Sequence, residues 1–205
     1  MSNQPSEQEQ RKLWIQLLSI VIVWLAVVTA GFLALFAYGF ESGPTGDLRN
    51  LSPQSASGKW QLVMAVHPKC ACTNATYAEL ERLLRHVGKE TDCQILVFEP
   101  EDSVAFSDTQ LLARFKSIPG VKIQRDPGGV QALSLGMTTS GCLAVWDPKG
   151  SPRFFGGITA SRGHEGMNAG SNAVANLILH RSDGQVTHRV FGCPIQNHAM
   201  DSDHG

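Results

Sequence analysis

The sequence has no surplus of either charge: 17 Lys and Arg stand against 18 Asp and Glu, a formal charge of -1. Without a basic excess there is no electrostatic footprint for a phosphate backbone, so nucleic acid is excluded as a partner. There is one long apolar run and no second, which excludes a multi-pass membrane protein. Internal repeats and low-complexity tracts are absent. The glycine-dense stretch 156–170, GGITASRGHEGMNAG, lacks the Gly-Lys-Ser/Thr ending and the strand–loop–helix spacing of a phosphate loop, so no nucleotide is expected either.

The single apolar run spans residues 13–40: 28 residues without a charge, 23 of them apolar. At about 1.5 Å per residue, roughly 20 helical residues cross the hydrocarbon layer. Trp14 lies near one end and Tyr38 and Phe40 at the other, where interfacial aromatics belong. A cleavable signal has an apolar region of only about 7–15 residues before a small-residue cleavage site. Ala37-Tyr38-Gly39-Phe40 is a poor such site, so the reading is a retained transmembrane anchor. Arg11 and Lys12 precede the span, and Glu41 and Asp47 follow it, with Arg49 beyond. That bias predicts a cytoplasmic N-terminus over residues 1–12 and a body exported to the periplasmic side. Export matters because the chain's five cysteines would then sit where disulfides persist.

Residues 41–58, rich in Gly, Ser, Pro and Asn, read as a flexible tether. Beyond them the body is long enough to bury one core without disulfide staples. Residues 61–66 form a short apolar strand pattern. Residues 73–87 place Tyr77, Leu80, Leu83, Leu84 and Val87 at helical spacing, with Thr76 and Glu79 as a capping box and Gly88 as a stop. A second buried strand follows at 94–98, then a helix at 107–118 opened by Ser107 and Gln110 and closed by Pro119-Gly120. A weak strand is expected at 121–124 and a short helix or turn at 130–135. Strands at 143–146 and 153–158 flank the turn Asp147-Pro148-Lys149-Gly150, and a last helix covers 172–180. Strand–helix alternation gives parallel pairing and the hairpin adds antiparallel strands. The expected class is α/β: a thioredoxin-like sandwich, a mixed sheet with helices on both faces, over residues 59–195. A disordered tail is expected over 196–205; its two His, His198 and His204, and two Asp, Asp201 and Asp203, make at most a weak metal site.

After the first strand the chain reads His67-Pro68-Lys69-Cys70-Ala71-Cys72-Thr73. Two thiols therefore fall between a strand's carboxyl end and a helix's amino end. Unpaired N–H groups and the positive end of the dipole stabilise an anion there, and a thiolate is the nucleophile of disulfide exchange. The bland alternative, two buried apolar cysteines, does not explain their pairing at this junction.

The run LVMAVHPKCACTNATYAELERLL resembles the active-site strand and helix of the thioredoxin superfamily, and within it the RedB-type membrane-anchored thioredoxin-like group. TTSGCLAVWDPKGSPRFFGGITASRGHEG and the ending VFGCPI extend the resemblance over roughly residues 59–195. It implies a thioredoxin-like fold, thiol–disulfide chemistry, no cofactor, and a protein thiol or disulfide as partner. Two departures stand out. The motif is C-x-C, so Thr73 falls where the second thioredoxin cysteine would, and a Cys70–Cys72 disulfide would close a strained, labile ring. The loop before the hairpin, Thr138-Thr139-Ser140-Gly141-Cys142, lacks the usual cis-proline that faces the active cysteines.

On this reading Cys70 and Cys72 are the catalytic pair, with Cys70 in the first-cysteine position. Thr73, Cys142 and Cys193 are resolving or supporting candidates, and His67, Pro68, Thr139 and Ser140 line the active-site loop. Cys142 is expected near Cys70 and Cys72, or else is a small core residue; Cys193 has either a structural or an active-site role; Cys93 is inert core. Arg162, His164 and Glu165 form a docking or proton-handling patch, or simply a solvated turn. The alternative function is a copper or zinc carrier using His67, Cys70, Cys72 and Cys142, since thiolate and imidazole suit soft metals. A thiol peroxidase is a third reading.

Overall fold

A computed structural model describes residues 7–100 and 110–195. The chain divides into two compact units, Met1–Phe40 and Glu41–Gly205. In the first, α1 (Glu7–Gly39) is a single 33-residue helix, long and apolar enough to cross a membrane. It begins before the apolar run and takes in Arg11 and Lys12.

The second unit contains β1 (Trp60–Val66), α2 (Thr73–Val87), β2 (Thr91–Glu99), α3 (Gln110–Ser117), β3 (Val121–Pro127), α4 (Val130–Ser134), β4 (Cys142–Trp146), β5 (Pro152–Gly157), α5 (Ala169–Ile178) and β6 (Val186–Thr187). The sheet order is β3-β2-β1-β4-β5-β6. β1, β2 and β3 are parallel; β4 runs antiparallel to both β1 and β5. The arrangement is a mixed α/β sheet of thioredoxin-like topology, as expected. The weak strand at 121–124 is a full edge strand of seven residues. Ser107, the expected cap of α3, lies outside the described residues, as does the tail.

Helices lie on both faces, but unequally. Leu62, Met64 and Val66 of β1, Ile95 and Val97 of β2, and Leu143 and Val145 of β4 pack beneath α2, α3 and α5. The alternate residues, Ala65, Leu96, Phe98, Cys142, Ala144 and Trp146, form a second core with α4. The chain steps β1→β2→β3 in one direction across the sheet, and right-handed crossovers then place α2 and α3 on the same face. The second face therefore lacks a long helix, and the short α4, a 3-10 turn at Leu48–Asn50 and irregular chain cover it. This corrects the tether reading of 41–58. Leu48 and Leu51 are buried in the second core, the Trp146 indole N–H donates to the Ser52 carbonyl at 3.1 Å, and Gly43 pairs with Val190.

The β4–β5 turn is built around Asp147. Its carboxylate accepts from the Lys149 and Ser151 N–H groups and from Arg153 Nε, each at 2.9 Å. Burial alone would raise this carboxyl, but the Ser151, Arg153 and Lys149 hydrogen bonds outweigh it and hold it below the ordinary aspartate range. A depressed folded-state pKa contributes stability above the unfolded value of about 3.9, lost as pH falls through the folded value. Asp147→Ala should therefore cost about 2 kcal/mol in urea melts at pH 7 and much less near pH 2–3. An equal cost at both pH values would show that the charge contributes nothing.

Candidate thiol site

The loop from β1 to α2 is held by a chain of short contacts. The Cys70 N–H donates to the His67 carbonyl at 3.0 Å, and the Thr73 N–H to the Cys70 carbonyl at 3.0 Å. Cys72 is the residue at the α2 N-cap, and no side chain caps the helix there. The expected capping box does not form. The Thr76 hydroxyl turns back to the Cys72 carbonyl, and buried Glu79 leaves its own helix end altogether. Its carboxylate accepts from the Gly166 N–H at 2.7 Å, Asn168 Nδ2 at 3.1 Å and Arg82 at 2.6 Å. Glu79 thereby pins the 159–168 loop beside the cysteines.

His67 shapes this loop. Its N–H donates to Ser140 Oγ at 2.9 Å, its Nδ1 accepts from the Lys69 N–H at 3.2 Å, and its ring stacks on Phe98 at 5.4 Å. Pro68 is buried behind it. Ser140 Oγ also lies 3.1 Å from Thr73 Oγ1. The proline-free loop 138–141 is thus tied directly to the start of α2.

Thr139 and Ser140 hold a second partner, the C-terminal segment 190–195. Thr139 bridges to Pro194, the Ser140 N–H donates to the Cys193 carbonyl at 2.8 Å, and the Ile195 N–H donates to the Thr138 carbonyl at 2.8 Å. Gly192 is required at the tightest point, because a Cβ there would run into the Ser140 carbonyl. The segment places Cys193 over Cys70: the Cys193 N–H donates to Cys70 Sγ at 3.3 Å. Arg162 fastens the other side by donating to the Gly192 carbonyl at 2.7 Å.

Cys70 therefore neighbours both Cys72 and Cys193. Burial pushes the Cys70 thiol up, but hydrogen bonds from the Cys193 thiol and N–H, the Thr73 hydroxyl and the Cys72 N–H outweigh it, and the net shift is below the ordinary thiol value. Cys72 moves the other way: burial, the negative charge at Cys70 and a hydrogen bond to it all raise it, against Arg162. Cys193 is pushed up to about 12 by burial, its hydrogen bond to Cys70 and repulsion from the Cys70 and Cys72 charges, again against Arg162. The site favours one thiolate, at Cys70, flanked by two protonated thiols.

The other expected residues fall elsewhere. Cys142 does not join the cluster; it is fully buried in β4 among the second core, paired with Ala65 and Gly157, and burial raises its thiol. Its packing role explains it. Cys93 is buried in β2, pushed up to about 12 by burial. The set His67, Cys70, Cys72 and Cys142 is not brought together. Among the described residues no group of three or more His, Cys, Asp or Glu side chains is arranged to hold a metal ion. Of the turn patch, Arg162 belongs to the site, whereas His164 and Glu165 are exposed.

No protein-family model and no curated protein sequence matches the chain. Solved structures do. An uncharacterized conserved protein from Geobacillus kaustophilus superposes with a TM-score of 0.56 at 14% identity, covering 77% of this chain and 90% of that one. A hypothetical protein from Sinorhizobium meliloti 1021 gives 0.53 at 15% identity, covering 78% and 92%. A secreted Mycobacterium tuberculosis disulfide oxidoreductase homologous to E. coli DsbE gives 0.43 at 11% identity, covering 66% and 99%. At these identities the likeness is one of fold: a thioredoxin-like mixed sheet, here carrying a thiol site of its own.

Proposed function

We propose that this chain is a membrane-tethered thiol–disulfide oxidoreductase that exchanges electrons with protein disulfides through Cys70. One observation carries the reading: the buried Cys70 sulfur sits at the amino end of α2 and accepts the Cys193 N–H at 3.3 Å, and its thiol is held below the ordinary value. A lowered thiol pKa raises the fraction of the nucleophilic form. Resemblance to the RedB-type group in the motif, the hairpin and the VFGCPI ending supports the same chemistry. α1 supplies the tether. The charges Arg11 and Lys12 before it, against Glu41 and Asp47 after it, favour a cytoplasmic N-terminus with the thiol domain on the periplasmic side.

Thiol alkylation of the full chain in detergent tests this. Iodoacetamide rates at each cysteine, followed by mass spectrometry from pH 5 to 10, should give the lowest midpoint at Cys70, below 9. Cys72 and Cys193 should titrate above it. An ordinary or raised midpoint at Cys70 overturns the proposal. Stoichiometric copper or zinc in anaerobically purified protein, lost in Cys70→Ser, would favour a metal carrier instead.

A further inference from the structure

We propose that Cys193 is the thiol that resolves Cys70, carried on a C-terminal strap, residues 190–195, that lifts to admit the substrate and returns to finish the exchange. This rests on the oxidoreductase reading above and names the second half of its dithiol.

Two observations make the strap necessary. Cys70 is only 3% exposed. A disulfide in a protein substrate cannot reach its sulfur in line while Cys193 lies across it. The strap is also held as an added strand would be: backbone bonds to the 138–140 loop at both Cys193 and Ile195, a buried Ile195 in the second core, and Arg162 on the Gly192 carbonyl. It occupies the backbone groups of the 138–140 loop with which an incoming extended peptide would otherwise pair. Substrate and strap therefore compete for one place.

The choice between Cys72 and Cys193 as the resolving thiol follows from geometry. The Cys193 nitrogen is 3.3 Å from Cys70 Sγ, so its Cα, one bond of about 1.46 Å further, lies within roughly 4.8 Å of that sulfur. A bond there joins residues 123 apart in sequence and needs no small ring. A Cys70–Cys72 bond joins residues two apart across a turn and must close a strained one.

The steps balance. Cys70 thiolate attacks one sulfur of the substrate disulfide; a Cys70–substrate bond forms, the substrate S–S bond breaks, and one substrate thiolate leaves. The strap closes, Cys193 gives its proton to that thiolate or to solvent, and its sulfur attacks Cys70. The Cys70–Cys193 bond forms and the second substrate thiolate leaves. The substrate disulfide is reduced by two electrons and the protein dithiol is oxidised; the reverse sequence oxidises a substrate dithiol. The mixed disulfide itself prepares the second step. Once Cys70 is no longer charged, its repulsion of Cys193 disappears while Arg162 remains.

The test uses the full chain in detergent with oxidised glutathione as the disulfide, followed by acid quenching, alkylation and peptide mapping. The wild type and Cys72→Ser should both yield a Cys70–Cys193 linkage. Cys193→Ser should accumulate a Cys70–glutathione adduct at least tenfold longer-lived than in the wild type. A Cys70–Cys72 linkage in the wild type, with Cys193→Ser clearing the adduct at the wild-type rate, overturns the inference and leaves the oxidoreductase reading standing. Absence of any linkage or adduct at Cys70 overturns the reading itself. The mapping is made on the wild type as well, so a misfolded variant does not decide the outcome.

Discussion

Cys70→Ser is expected to cut catalysed disulfide exchange at pH 7 by at least about a hundredfold, whereas Cys72→Ser loses far less. A hydroxyl does not replace a thiolate in this chemistry. The thiols left behind, Cys72 and Cys193, are both shifted upward, first by burial, which persists when Cys70 is gone. A thiol with a pKa near or above 8.5–9 is only a few per cent ionised or less at pH 7, so neither can substitute at speed. The sign with pH follows. Because the Cys70 pKa is lowered, wild-type exchange should rise with pH through the Cys70 midpoint and then flatten. The residual exchange of Cys70→Ser should keep rising past pH 9. Stopped-flow reduction of a small aromatic disulfide reads both. Full activity in Cys70→Ser, or total loss in Cys72→Ser alone, would move the nucleophile to Cys72.

The elements that bear the thiols were legible because each carries a strong local signal. The 73–87 helix matches α2 residue for residue, since five apolar side chains at helical spacing bury one face and Gly88 follows directly. The turn at Asp147–Gly150 and the strands around it were equally plain. Long-range placement was less so. Cys142 follows Gly141 in a loop that the fold does bring near α2, yet strand alternation turns its side chain into the second core. A one-residue difference along a strand decides that, and nothing in the composition reports it. Cys193 was visible as Gly192-Cys193-Pro194, and its partner depended on where the C-terminal segment lies. The signal, in retrospect, is Gly192: a residue without a side chain immediately before a cysteine marks a close backbone approach. Arg162 stands in the sequence only as part of a polar turn with His164 and Glu165, and no local signal ties it to the cysteines. The 41–58 segment misled for a compositional reason. Its Gly, Ser and Pro content suggests a free linker, but Leu48 and Leu51 suffice to anchor it on a sheet face that lacks a long helix.

Glu79 gives the second large effect, because one buried carboxylate organises both the stability of the domain and the position of Arg162. It is 1% exposed and takes hydrogen bonds from α2 itself and from the far loop at Gly166 and Asn168. Glu79→Ala removes the acceptor of the half-buried Gly166 N–H and leaves the buried Asn168 amide with the Gly166 carbonyl alone. Arg82 is half exposed and stays solvated, so the loss is that of the hydrogen bonds to the carboxylate, about 2 kcal/mol. The loss should appear as a lower urea midpoint with an unchanged slope. The functional consequence follows from what the loop carries. Arg162 is the group that opposes the upward shifts of Cys72 and Cys193, and it also holds the strap through Gly192. A loosened loop should therefore do two opposite things: expose Cys70 to alkylation by freeing the strap, and raise the alkylation midpoint of Cys72 by withdrawing the guanidinium. Glu79→Gln keeps one carbonyl acceptor for Gly166 and should show a smaller version of both. A Glu79→Ala protein that loses stability while Cys70 and Cys72 react as in the wild type would show that the loop holds Arg162 by other means, and would separate the anchor at Glu79 from the chemistry at the thiols.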